Sequence, residues 1–230
     1  MQIHGFNKTT LLDYPGIVAA TIFTGACNFR CPFCHNSDLV LNPNSQPPIS
    51  EEEIFSHLEK RKGITRGVCI TGGEPTLQPD LERFIDRVKG MGLFVKLDTN
   101  GYRPDVLKKL CDEKKADYVA MDIKSSFSRY SEAAGVDVDI SKIKESIEYL
   151  KEGHVPYEFR TTVVRELHDY DTFLEISEML EGASSYYIQG FIDSGRVIKQ
   201  GLSAYSLEEL ECFTGIFKGR IGEISVRGVE

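Results

Sequence analysis

At 230 residues, with 41% hydrophobic and 27% charged side chains, the chain has an ordinary globular composition. That length buries roughly 70% of the unfolded surface without disulfide staples. Its 35 acidic residues outnumber the 27 basic ones, and the net charge of -8 argues against a nucleic-acid substrate, because phosphate binding is dominated by Lys and Arg. The N-terminal stretch MQIHGFNKTTLLDYPG lacks a signal-peptide pattern, and no segment approaches the ~20 apolar residues that span a bilayer. Six cysteines without a disulfide framework fit a reducing compartment, so a cytoplasmic protein that binds neither membrane nor nucleic acid is expected.

No linker, charge block or low-complexity stretch divides the sequence, so one domain over residues 1–230 is expected, with a core at about 17–191 and a helix and short strand in 192–230. The first β-branched run, Ile17–Phe23, leads into GACNFRCPFCHN, where Cys27, Cys31 and Cys34 are spaced C-x3-C-x2-C. Three thiolates hold three corners of a 4Fe-4S cube and leave one iron open, whereas electron-transfer clusters close every position with four cysteines. A zinc site wants four ligands, usually from two separated pairs, and no second pair exists; a redox pair at Cys31-x-x-Cys34 is the other alternative. Phe33, between the last two cysteines, reads as a shield for the site, as a stacking surface, or simply as an aromatic covering apolar surface.

Ser50-Glu-Glu-Glu53 then predicts a capped helix ahead of Ile54 and Leu58. The second run, Val68–Thr71, ends in Gly72-Gly73-Glu74-Pro75, and the third, Leu93–Asp98, ends in Asp98-Thr99-Asn100-Gly101. Pro104 suits a first helical turn, and the fourth run, Tyr118–Ile123, carries Asp122 and is followed by Lys124. Ile140, Ile143, Ile147 and Leu150 recur at helical spacing before Gly153, a natural stop. Arg160, Thr161 and Thr162 lie in the fifth run, Tyr157–Val164, and Gln189 closes the sixth, Ser185–Gly190. Ser206-x-x-Glu209 opens a last helix, and Glu223–Arg227 adds a final short strand.

Six strand-helix units predict an α/β fold, either a doubly wound sheet or a partial (β/α)6 barrel of parallel strands. In both, ligands gather at the C-terminal ends of the strands, and the unusual residues fall there. Each alone is an ordinary turn or loop residue; their common placement is the signal.

With the cysteine spacing, the aromatic before the last cysteine and the strand ending in Gly-Gly-Glu-Pro, the chain resembles the radical S-adenosylmethionine (SAM) superfamily, whose fold is a partial TIM-like barrel. KTTLLDYPG, CPFCHN, DTNG and MDIK resemble the activating enzymes of glycyl-radical enzymes. The likeness runs from about Gly5 to Phe191 and points to the activating proteins of anaerobic ribonucleoside-triphosphate reductases. It implies one 4Fe-4S cluster on Cys27, Cys31 and Cys34, with SAM chelated to the open iron. Reductive cleavage would give methionine and a 5′-deoxyadenosyl radical that takes hydrogen from a glycine Cα of a partner enzyme. The resemblance places Gly72, Gly73 and Glu74 along the methionine moiety, with Glu74 accepting from its ammonium. Lys124 and Arg160 balance the carboxylate, Phe33 and His35 lie near the adenine, and Gln189 supplies a polar contact. It further implies a flavodoxin- or ferredoxin-type electron donor and a monovalent cation on Asp98, Thr99 and Asp122. Cys69, Cys111 and Cys212 have no ligand spacing and are expected to be buried as small hydrophobes. Two other readings stay open: a radical SAM enzyme acting on a small molecule such as a deazapurine or on a peptide, and a zinc-stabilised protein without catalysis.

Overall fold

The structure, a computed structural model describing residues 1–45, 47–193 and 195–228, is built on one eight-stranded sheet whose strands lie in chain order. Gln46, Ser194, Val229 and Glu230, part of the expected 1–230 domain, lie outside the described residues. Strand β1 (Ile3–Thr10) runs antiparallel to β2 (Ala19–Thr24). From β2 onward the pairs are parallel, through β3 (Gly67–Gly72), β4 (Phe94–Thr99), β5 (Tyr118–Asp122), β6 (Tyr157–Val163), β7 (Ser185–Gly190) and β8 (Glu223–Arg227). Among the described residues β1 and β8 do not pair with each other, so the barrel stays open.

The helices are α1 (Ser37–Leu41), α2 (Glu51–Lys60), α3 (Leu81–Gly90), α4 (Pro104–Asp112), α5 (Tyr130–Ala134), α6 (Ile140–Lys151), α7 (Tyr170–Met179) and α8 (Leu207–Thr214). Their starts follow local chemistry. Ser50 accepts from Glu53 N at the start of α2, Ser206 and Glu209 form a reciprocal box at α8, and Pro104 opens α4. Gly153, with φ of 80°, takes the left-handed turn just past α6. No helix among the described residues is long and apolar enough to cross a membrane.

The two faces of the sheet differ in chemistry. Val95, Leu97, Val119, Met121, Phe159, Tyr186 and Ile188 are fully buried, within one core with Leu107, Leu110, Ile143, Ile147, Phe173 and Ile176 of the helices. The alternate residues, Lys96 and Asp98 on β4, Asp122 on β5, Glu158, Arg160 and Thr162 on β6, and Tyr187 and Gln189 on β7, share the inner face. An ordinary eight-fold barrel fills its interior with branched apolar side chains. This interior is polar, and it continues into a cavity at the C-terminal ends of the strands.

Candidate functional site

A cavity of about 430 Å³ opens at those strand ends. It is lined by Cys27, Cys31 and Cys34 after β2, Gly72, Gly73 and Glu74 after β3, Asp98 and Thr99 on β4, Asp122 and Lys124 at β5, Arg160 on β6 and Gln189 on β7, together with Phe33 and His35. One space therefore collects the residues singled out in the sequence. Asp13, Asn36, Thr71, Asn100 and Thr162 line it as well. Asn36 and Asn100 stand inside recognisable motifs, CHN and DTNG. Asp13 lies in the β1–β2 connection, within the KTTLLDYPG stretch, and accepts from Thr21 Oγ1 at 2.5 Å.

The cysteine loop is fixed by backbone bonds to the end of β3. Gly73 N donates to Thr24 O and Glu74 N to Ala26 O, both at 2.8 Å, while Asn36 Nδ2 donates to Gly72 O at 2.9 Å. The two glycines are required by this contact. A Cβ on Gly73 would lie 1.9 Å from Ala26 O, and one on Gly72, whose φ is 114°, 2.3 Å from Thr24 N. On the other side of the loop, Arg30 N donates to Ala134 O at 2.8 Å.

Glu74 is buried. Its Oε1 accepts from Thr76 N, Thr76 Oγ1 and Thr99 Oγ1 at 3.1, 2.5 and 2.8 Å, and its Oε2 from Asn100 N at 2.7 Å. Burial raises its pKa, and these neutral donors pull it back only in part. A carboxylate has about four lone-pair sites, two on each oxygen, so Oε2 retains acceptor capacity toward the cavity.

Deeper in the cavity an ion network crosses three strands. Lys96 pairs with Asp98, Arg160 reaches Asp98 at 3.2 Å and Asp122 at 2.9 Å, and Lys124 reaches Asp122 at 3.0 Å. Burial opposes charge on Asp122, yet Arg160 and Lys124 hold its pKa at about 2. Burial likewise disfavours the charge on Lys124, but Asp122 beside it raises its pKa above the ordinary lysine range. His168, fully buried, donates from Nε2 to Lys124 O at 2.8 Å and accepts Val164 N at Nδ1, while Phe33 meets its ring edge-on at 5.9 Å. His35 stacks on Phe191 with centroids 5.4 Å apart, and its Nε2 bonds Ile192 O.

Three observations bear on a thiolate-bound metal group. Burial pushes the Cys27 thiol up to about 12 and the Cys31 thiol to about 11, and raises Cys34 as well, so an incoming metal must displace protons. Donors already face sulfur: Phe29 N lies 3.3 Å and Asn100 Nδ2 3.9 Å from Cys27 Sγ. Among the described residues Asn28 Nδ2, beside Cys27, is buried without a partner, a donor left for an anionic group. Among the described residues, no three His, Cys, Asp or Glu side chains converge to hold a single ion, as a zinc site requires. A cube differs in taking one thiolate on each of three irons. The donor set suits that group.

Comparison with known proteins agrees. The profile of the radical SAM superfamily matches residues 21–180. A Methanocaldococcus jannaschii protein named as a candidate glycyl-radical enzyme activating enzyme is 35% identical over 194 residues, covering 82% of this chain and 79% of its own. A candidate GTP 3′,8-cyclase of Thermococcus kodakarensis is 30% identical over 165 residues, 70% of this chain but only 51% of that relative. Among solved structures, Streptococcus suis SuiB bound to S-adenosylmethionine superposes with a TM-score of 0.69 at 15% identity, over 88% of this chain and 48% of SuiB. The chain thus spans about half the length of the last two.

Proposed function

This chain belongs to the radical SAM superfamily, and on that premise we propose that it activates a glycyl-radical enzyme, with an anaerobic ribonucleoside-triphosphate reductase as the partner that its motifs favour. The observation that carries the reading is the gathering of three thiols, a Gly-Gly-Glu turn and a charged strand-end network in one cavity, in a chain similar along most of its length to a protein named as such an activator. Cys27, Cys31 and Cys34 would hold the 4Fe-4S cluster. When bound, cluster and SAM supply a one-electron reductive cleavage that ends in removal of a hydrogen atom from the partner's glycine.

The protein's own residues position that chemistry. Glu74 Oε2, with a free acceptor site in the cavity, receives the SAM ammonium, a charge-assisted bond. Lys124 and Arg160 present cationic heads to its carboxylate, each already oriented by Asp122. Phe33, His35 and Gln189 border the space left for the adenosyl group. A monovalent cation on Asp98 or Asp122 would have to share those oxygens with Lys96, Arg160 and Lys124.

The test is anaerobic. Cluster-loaded protein, reduced by a flavodoxin or ferredoxin and given SAM, should release 5′-deoxyadenosine and create an organic radical on a glycyl-radical enzyme, read by electron paramagnetic resonance. A second reading, a small-molecule radical SAM enzyme, draws on the likeness to the candidate cyclase. Turnover of a free metabolite with no radical on any such partner would replace the first reading with the second.

A further inference from the structure

We propose that Asn100 sets the reduction potential of the cluster by donating from its side-chain amide to the Cys27 thiolate. The inference rests on the cluster reading above and goes beyond it in assigning a role to a residue outside the ligand set.

The orientation of the amide is fixed by its neighbours. Asn100 Oδ1 accepts from Tyr102 N at 3.0 Å, so the NH2 group must face the other way. There it finds Asn28 Oδ1 at 2.9 Å and Cys27 Sγ at 3.9 Å, and its two hydrogens serve both. The residue is buried, and Glu74 Oε2 clamps its backbone N at 2.7 Å. A donor locked in place needs no reorganisation when charge appears on sulfur. The protonated Cys27 thiol lies 3.9 Å from Asn28 Oδ1 as a donor; as a thiolate it has no proton to give and only accepts. Asn100 and the Phe29 N–H, at 3.3 Å, are then its two partners.

The sign follows from charge. One-electron reduction adds a unit of negative charge to the cluster and its thiolates. A hydrogen bond to sulfur stabilises the more negative state more, which raises the potential. Removing the donor therefore makes the cluster harder to reduce.

The test is a redox titration of anaerobically loaded protein without SAM, followed by electron paramagnetic resonance, so that altered SAM binding cannot contribute. Asn100→Leu removes the donor. Asn100→Asp keeps the oxygen that Tyr102 N needs, removes the donor and, above neutral pH, places a negative charge near Cys27. Both midpoints should move to more negative values, Asp further than Leu. The expected size for Leu is about a tenfold bias toward the oxidised cluster, about 59 mV for a one-electron couple. Unchanged or raised midpoints in loaded variants overturn the proposal while the cluster reading stands. Failure of both variants to load, with wild type loading normally, also overturns it, because a donor that only tunes is dispensable for assembly. Failure of wild type to load would instead remove the cluster reading itself.

Discussion

Gly73 shows what a single residue can conceal. Its place in a Gly-Gly-Glu-Pro turn suggests close approach by a ligand, but the structure gives a second demand, since a Cβ there would sit 1.9 Å from the carbonyl oxygen of Ala26 in the cysteine loop. That neighbour is backbone and cannot swing aside. Gly73→Ala should therefore destabilise the protein by about 1–3 kcal/mol as overpacking does, and displace the cysteine loop, measured by urea unfolding together with iron content. Gly90, in the last turn of α3 with nothing near its missing Cβ, is the control: Gly90→Ala should stabilise by about 0.5–1 kcal/mol. Equal stability of Gly73→Ala and wild type would show that the loop gives way easily. Residue types and spacing exposed the cysteines, the glycines and Glu74, because these carry their chemistry locally. They could not expose that Glu74 grips Thr99 and Asn100, since that contact joins positions 25 and 26 residues apart through the packing of β3 beside β4.

At the scale of elements, the parallel strands were legible because β-branched runs buried by helices read as continuous apolar segments ending in abrupt polar turns. Strand β1 was not, because IHGFNKTT is half exposed, contains a glycine and pairs antiparallel at an edge, with register shifts on both sides of its centre. Helices α1 and α5, at five residues each, are too short for a periodic signal. The polar inner face was not legible, because Glu158, Arg160 and Thr162 sit in one run with Phe159 and Thr161, and only the pleat and the pairing of β5, β6 and β7 assign the two sets to opposite sides. The connection after β6 supplies a prediction of its own. His168 on that connection holds the carbonyl of Lys124, on the connection after β5, and burial lowers its pKa below the ordinary 6.5. As pH falls through about 6.5 the unfolded chain takes up this proton before the folded one does, so stability is full above that value and declines below it. Denaturant unfolding at about pH 7.5 and about pH 5.5 should show a loss that His168→Gln reduces. An identical loss in the variant would assign the pH dependence to other groups.

For the molecule as a whole, an unclosed barrel with a charged interior poses a problem of cohesion, because among the described residues β1 and β8 do not complete the ring and charged and polar side chains stand on the inner face where a closed barrel has packed apolar layers. The ion network is placed to answer it. Arg160 on β6 reaches Asp98 on β4 and Asp122 on β5, so one side chain ties three consecutive strands from the inside. Asp98 keeps Lys96, and Asp122 keeps Lys124, so each carboxylate has a second cation on its own strand or just beyond it. Stranding a buried charge costs about 3–5 kcal/mol, but loss of Arg160 leaves Lys96–Asp98 and Lys124–Asp122 as two intact pairs, so the cost falls below that range. Arg160→Met should thus lower the unfolding free energy by less than that, through the lost tie between β4, β5 and β6, and Arg160→Lys should recover only part, since an ammonium cannot span both carboxylates as the planar fork does. Replacing Asp98 and Asp122 by Asn in the Arg160→Met background takes the partners from Lys96 and Lys124 and should lower stability further, by about 3–5 kcal/mol. If the triple variant is as stable as Arg160→Met, the two lysines draw no stability from the carboxylates, and the arginine acts by filling the lumen rather than through the ion network.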